Sequence, residues 1–339
     1  MDLNEVYLIA ETAYSHEGDR NYLPQLITQL GKSEIDAIKF QILLDKREFL
    51  SQSHPLFNEI DKWSFNEKYW TDILNLVNLE KKDAIVTILD TKVIEFLKDK
   101  TELYIGVEIH PSCLIDLNFL NKVCSLCQEK NKTLFLGISG FNLNEIKNIL
   151  NVVKKYSIKE VILIYGFQNF PTNINELDLN KIVFLKEETK CEIAYADHTE
   201  YNSEYKNMIL EAAFILGAKI QEIHCVLEKG KNRTDYITAI EIEDFSKIKK
   251  RLNLLKQVTS KNEFQLSNGE IEYSEKLKKS PVYLKKLKKD EILKSEDIGF
   301  KRVEKKNYNY EFQEVEKYIN KKLRKDVEVD SEIIKNDFE

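Results

Sequence analysis

The sequence predicts an α/β fold: a (β/α)8 TIM barrel followed by a small β-rich domain. Three observations carry this. Eight short apolar runs recur along the first 260 residues, amphipathic stretches lie between them, and the texture turns polar and lysine-rich beyond about residue 260. Each run has strand length, is rich in Val and Ile, and is apolar throughout, as parallel strands covered on both faces are. Eight strand–helix repeats in about 255 residues match a closed barrel. A doubly wound open sheet is the alternative, and the even repeat length favours closure.

In chain order the runs are 6–10, 36–41, 84–89, 103–109, 133–138, 160–165, 192–196 and 220–226. Between them, apolar residues spaced by three and four mark helices with one stripe against a sheet. Examples are Tyr69, Ile73, Leu74, Leu76 and Val77; Ile146, Ile149, Leu150 and Val153; and Met208, Ile209, Ala212 and Ile215. Residues 1–260 are therefore expected to form the barrel, 261–279 a linker, and 280–339 the second domain. Within the latter, the stretch KKDEILKSEDI and the stretch KKLRKDVEVDSEII at 321–334 are related patterns.

Composition narrows the function. With 57 acidic and 51 basic residues the net charge is −6, so nucleic acid is not an expected partner. No run reaches about 18 uninterrupted apolar residues, so no membrane span is expected. The first residues enter an apolar strand directly, and five cysteines form no regular framework, both of which suit the cytoplasm. Cys124 and Cys127 fall on an apolar helix face and read as buried thiols. Only 10 glycines occur in 339 residues, which argues against a glycine-cradled phosphate loop.

In a barrel, chemistry sits at the C-terminal strand ends. Of five histidines, His16, His110, His198 and His224 fall at such ends and only His54 does not. His198 and His224, on neighbouring strands, read either as joint ligands of a divalent metal or as hydrogen-bonded pocket histidines. Lys39 lies inside an apolar strand, where an unpaired ammonium is costly. It needs an ion-pair partner such as Glu11 or Glu222, an anionic substrate, or a Schiff-base role. Glu11 and Glu222 read as acid/base groups or as partners of the histidines and lysine.

The same residues carry a family likeness. The run Leu8-Ile-Ala-Glu-Thr-Ala-Tyr-Ser-His-Glu-Gly18 resembles the opening motif of the N-acetylneuraminate (sialic acid) synthase family. Ile38-Lys-Phe-Gln41, Ala196-Asp-His-Thr199 and Ile220-Gln-Glu-Ile-His224 resemble three further family motifs in the same order, and Ile298-Gly-Phe-Lys-Arg302 resembles part of the family's antifreeze-like (SAF) domain. The resemblance implies condensation of phosphoenolpyruvate with an N-acetylated amino sugar to a nine-carbon ulosonic acid. It implies a divalent cation on His198 and His224, Mn2+ foremost, with Mg2+ or Co2+ as alternatives. Glu11, Lys39 and Glu222 would be catalytic, while Gln41, Thr87, Ser139, Gln168 and Asp235 would bind substrate. Arg302 would be inserted by the partner subunit of a homodimer.

The chain also departs from the family pattern. Glu108 stands where the family has a lysine that grips phosphoenolpyruvate, and Pro111, Cys113, Ile138, Phe170 and Ala196 replace polar or aromatic family residues. A metal-dependent lyase, aldolase or epimerase that works without phosphoenolpyruvate is therefore an alternative expectation. A non-catalytic sugar-binding homologue is another.

Overall fold

The computed structural model describes residues 5–166, 169–259, 264–304, 311 and 313–338. The chain divides into two compact units, Met1–Ser260 and Lys261–Glu339.

In the first unit, β1 (Tyr7–Glu11), β2 (Ala37–Ile42), β3 (Asp83–Ile88), β4 (Gly106–Ile109), β5 (Thr133–Gly137), β6 (Glu160–Tyr165), β7 (Glu192–Asp197) and β8 (Ile220–His224) form a closed barrel. The strands pair in parallel in sequence order, and β8 returns to pair with β1. All eight expected runs are strands. The fourth starts later than its run, because Thr101–Leu103 forms a 3-10 turn before Gly106 opens β4. A Cβ on Gly106 would sit 2.9 Å from the Phe135 ring, which occupies that part of the barrel interior.

Strand side chains alternate between two environments. Tyr7, Ile9, Ala37, Ile85, Phe135, Ile162, Ala194 and Ile220 cluster inside the barrel. Leu8, Ile38, Phe40, Val86, Val107, Leu134, Leu163 and Ile223 pack outward against the helices. This double burial is why the runs show no polar alternation.

The helices follow their stripes, with one shift. Glu67–Leu79, capped by Asn66, buries Tyr69, Trp70, Ile73, Leu74 and Val77. Leu143–Val153 opens with a capping box between Asn142 and Glu145. In Lys206–Ile215 the expected stripe is partly displaced: Ile209 is buried as expected, Met208 and Ile215 are exposed, Ala212 is half-buried, and Leu210, Ala213 and Phe214 are buried instead. The helix is apolar nearly all round, so spacing alone did not select its buried face. Cys124 and Cys127 are buried on Leu117–Lys130, as expected.

The second unit has its own core, with Tyr283, Leu287, Leu293, Leu323, Val327 and Ile333 at its centre. Residues 261–279, expected as an irregular linker, include the helix Asn268–Leu277, started by a capping box between Ser267 and Glu270. Strand β9 (Ser280–Tyr283) pairs antiparallel with β10 (Ile298–Lys301). The two related sequence patterns build matching turns. Asp297 accepts from Lys294 N and pairs with Lys285 at 2.7 Å, while Asp337 accepts from Ile334 N and pairs with Lys325 at 2.8 Å.

Candidate active site

Alternation puts Glu11, Lys39, Gln41, Thr87, Glu108, Glu222 and His224 on the same inward parity as the interior apolar residues, at the C-terminal ends of their strands. Lys39 Nζ lies 2.7 Å from Glu11, 2.5 Å from Glu108 and 2.6 Å from Glu222, and all four side chains are buried. Gln41 Nε2 donates to the other oxygen of Glu11 at 3.2 Å. Thr87 Oγ1 donates to Glu108 Oε2 at 2.7 Å. The choice left open for Lys39 is thus narrowed: it is ion-paired three times over.

Three carboxyls around one ammonium cannot all ionise cheaply at this depth. Burial pulls the Lys39 pKa down, but Glu108 and Glu222 outweigh it and hold the ammonium charged. Burial pushes Glu108 up, yet the Lys39 charge and hydrogen bond bring it below the usual carboxylate range. Glu222 moves the other way, raised by burial and by the Glu108 charge. Glu222 is therefore the carboxyl that keeps a proton most readily.

His224 ends β8 and His198 follows β7 directly. Their ring centroids are 4.9 Å apart at right angles, and Phe170 packs on both at 4.8 and 5.7 Å. Burial, with the neighbouring His198 and Lys39, holds His224 well below the ordinary imidazole value, so it stays neutral. Thr238 Oγ1 lies 3.4 Å from its Nδ1. An ion about 2.1 Å from one nitrogen of each ring, with a bond angle near 100°, needs centroids roughly 5 Å apart. The pair fits a divalent cation on that measure. The carboxylates of Glu11, Glu108 and Glu222 also gather within 4.8 Å of one another, but the Lys39 ammonium already ion-pairs with all three, so a metal there would have to displace it.

A residue the sequence reading passed over braces the histidines. Lys206, the first residue of a largely apolar helix, is buried against the Asp197 carboxylate. It also donates to Thr199 O at 3.0 Å and Thr238 O at 3.3 Å, tying together the segments after β7 and β8. The signal available in the sequence was a lysine on an apolar helix nine residues after a strand-end aspartate.

Glu11, Lys39, Gln41, Glu108, His110, Phe170, His198, Glu222, His224 and Asp235 line one cavity of about 220 Å³. Asp235 sits there with φ of 64°, a left-handed conformation uncommon outside glycine. Burial raises its pKa against a hydrogen bond from the Tyr14 backbone. Thr87 lies behind Glu108 rather than on the wall. Ser139 lines a separate cavity of about 770 Å³ with Tyr165, Asn169 and Phe184, and its hydroxyl bonds Gly166 O. His16 is corrected: it turns away after β1, packs against Phe65 at 4.9 Å, and accepts from Gly18 N. Gln168 lies outside the described residues. Arg302 is exposed beyond β10 in the second unit.

A family model described as NeuB family matches residues 26–263. The chain belongs to the NeuB family. It is 26% identical over 314 residues to the N,N'-diacetyllegionaminic acid synthase of Campylobacter jejuni, covering 88% of this chain and 91% of the relative. It is 24% identical over 354 residues to a pseudaminic acid synthase of the same species, covering 98% and 97%. A crystal structure of an N-acetylneuraminic acid synthetase from Leptospira borgpetersenii shares the fold, with a TM-score of 0.70 and 20% identity over 80% of this chain and 90% of that one. Like these relatives, the chain is an enzyme, a synthase of the transferase class.

Proposed function

We propose that the enzyme condenses phosphoenolpyruvate with an N-acetylated amino sugar, N-acetylmannosamine or a related acetamido sugar. Water is consumed, and phosphate and a nine-carbon ulosonic acid are released. The observation that carries this reading is one cavity at the barrel mouth that joins the histidine pair, the Lys39 cluster and Asp235. Family membership supports the reaction class.

In this reading a divalent cation, Mn2+ foremost, is held by His198 and His224 and supplies charge for polarising the aldehyde oxygen. Glu11, fixed by Lys39 and Gln41, orients the attacking water and takes its proton. Glu222, whose pKa burial and the Glu108 charge raise, serves as the acid toward the new alkoxide. Lys39 faces the donor's anionic end, with Gln41 and Thr87 beside it. Asp235 binds sugar hydroxyls. Arg302 of a partner subunit closes the site, so the working unit is a homodimer whose second domain is of the antifreeze-like type.

Among the described residues no helix is long and apolar enough to cross a membrane. A phosphoenolpyruvate-consuming enzyme belongs in the cytoplasm, and that location is part of the reading. The test is phosphate release from phosphoenolpyruvate with Mn2+ across a panel of acetamido sugars. No release with any sugar, and no calorimetric binding of the donor, overturns it.

A specific observation favours a second reading. Among the described residues lining the cavity, Lys39 is the one lysine or arginine, and three carboxyls already ion-pair with it. A lyase, aldolase or epimerase acting on a related sugar needs no grip on phosphate. Pyruvate, or an altered sugar, formed without phosphoenolpyruvate is the result that selects it.

A further inference from the structure

Among the described residues, the cavity is lined by four carboxyl side chains, Glu11, Glu108, Glu222 and Asp235, against the single ammonium of Lys39. An anion can enter beside Lys39 only by taking the place of a carboxylate. Lys39 donates hydrogen bonds to Glu108 and Glu222, whereas Glu11 meets it as an ion pair and has its other oxygen held by Gln41. Glu108 differs from both. Its Oε2 takes both the Lys39 hydrogen bond at 2.5 Å and that of Thr87 at 2.7 Å, so the oxygen that leaves the lysine already has a donor to keep. The register explains why it is available: Glu108 stands beside Thr87 across β3 and β4.

We propose that Glu108 is an internal counter-anion that occupies the donor's place on Lys39 and sets how strongly this enzyme accepts an anionic donor. This rests on the reading that the donor is phosphoenolpyruvate. When the donor's carboxylate or phosphate reaches Lys39, Glu108 keeps its Thr87 hydrogen bond and the Lys39–Glu108 contact opens. The enzyme thereby binds its donor weakly, and small anions are kept out of a cavity that still admits a neutral sugar. Two unit charges a few ångströms apart at a protein-like dielectric interact by more than the equivalent of one decade in binding.

The experiment compares the full-length protein with Glu108→Gln and Glu108→Ala. Calorimetric dissociation constants are measured for phosphoenolpyruvate and, separately, for pyruvate and inorganic phosphate as probes. The expected result is at least tenfold tighter binding of the anions by both variants. Unchanged or weaker binding overturns the proposal. Should either variant fold poorly, a structure of the wild-type protein soaked with phosphoenolpyruvate or pyruvate decides. A Lys39–Glu108 separation beyond 4 Å supports displacement, and an intact contact with the anion bound refutes it. Failure of the donor reading looks different: the wild type releases no phosphate from phosphoenolpyruvate, while the variants still bind the probe anions more tightly.

Discussion

Glu11 on β1 and His224 on β8 are register partners where the barrel closes. That seam brings the Lys39 acid cluster and the histidine pair into one cavity, and it makes the two separable by mutation.

The histidines are expected to govern metal binding alone. Purified protein reconstituted with Mn2+ should hold one ion per chain, and His198→Ala or His224→Ala should each weaken binding at least tenfold, as removal of a metal-site group does. Chelation should abolish phosphate release and added Mn2+ restore it. Mn2+ at about a hundred times its dissociation constant should stabilise the fold by about 2.7 kcal/mol. Elemental analysis and thermal melts read both effects.

Lys39→Met should be destabilising as well as inactive. It leaves Glu11, Glu108 and Glu222 buried together without their cation. Removing one partner of a buried ion cluster costs about 3–5 kcal/mol, less whatever the carboxyls recover by taking up protons. Urea titration measures the loss, which should shrink at low pH as those protons bind.

Asp235→Asn keeps shape and removes charge. The expected outcome is a sugar KM raised about tenfold, with Mn2+ stoichiometry unchanged, because Asp235 lines the cavity and the metal is assigned to the His198 and His224 pair. Steady-state kinetics beside metal analysis checks it, and loss of metal would contradict the assignment.

The donation of Arg302 across a dimer has a complementation test. Arg302→Ala and Lys39→Met should each be inactive alone. Co-refolded in equal amounts they should recover roughly a quarter of wild-type activity, since half the dimers are mixed and each has one intact site. No recovery in proven heterodimers argues for action within one chain.

His16 predicts a pH effect on stability rather than catalysis. Burial, and to a lesser extent Arg233, lowers its pKa from the ordinary 6.5 to about 4. Between those values the unfolded chain binds a proton that the native chain refuses. Its contribution is therefore intact above pH 6.5 and declines as pH falls toward 4, by up to about 3 kcal/mol. His16→Gln should flatten that slope in denaturant titrations at pH 4.5 to 7.

Much of this was legible in the residues themselves. The continuous apolar runs revealed the eight strands because both faces of a barrel strand are buried, and their period of two already put Glu11, Lys39, Glu108 and Glu222 on one parity. The strand ends also singled out His198 and His224. Sequence position could not separate these from His16, which shares their place at a strand end but turns into an aromatic pocket, nor assign Ser139 to a different cavity. It did not show that Lys206, on a helix, braces both histidine-bearing segments. Nor did it reveal that Lys39 meets carboxyls 28, 69 and 183 residues away, a convergence that exists only because the barrel closes β8 onto β1. Local pattern reports which way each side chain faces; which charges share a low-dielectric interior, and so which of them is already neutralised, is settled by closure of the barrel.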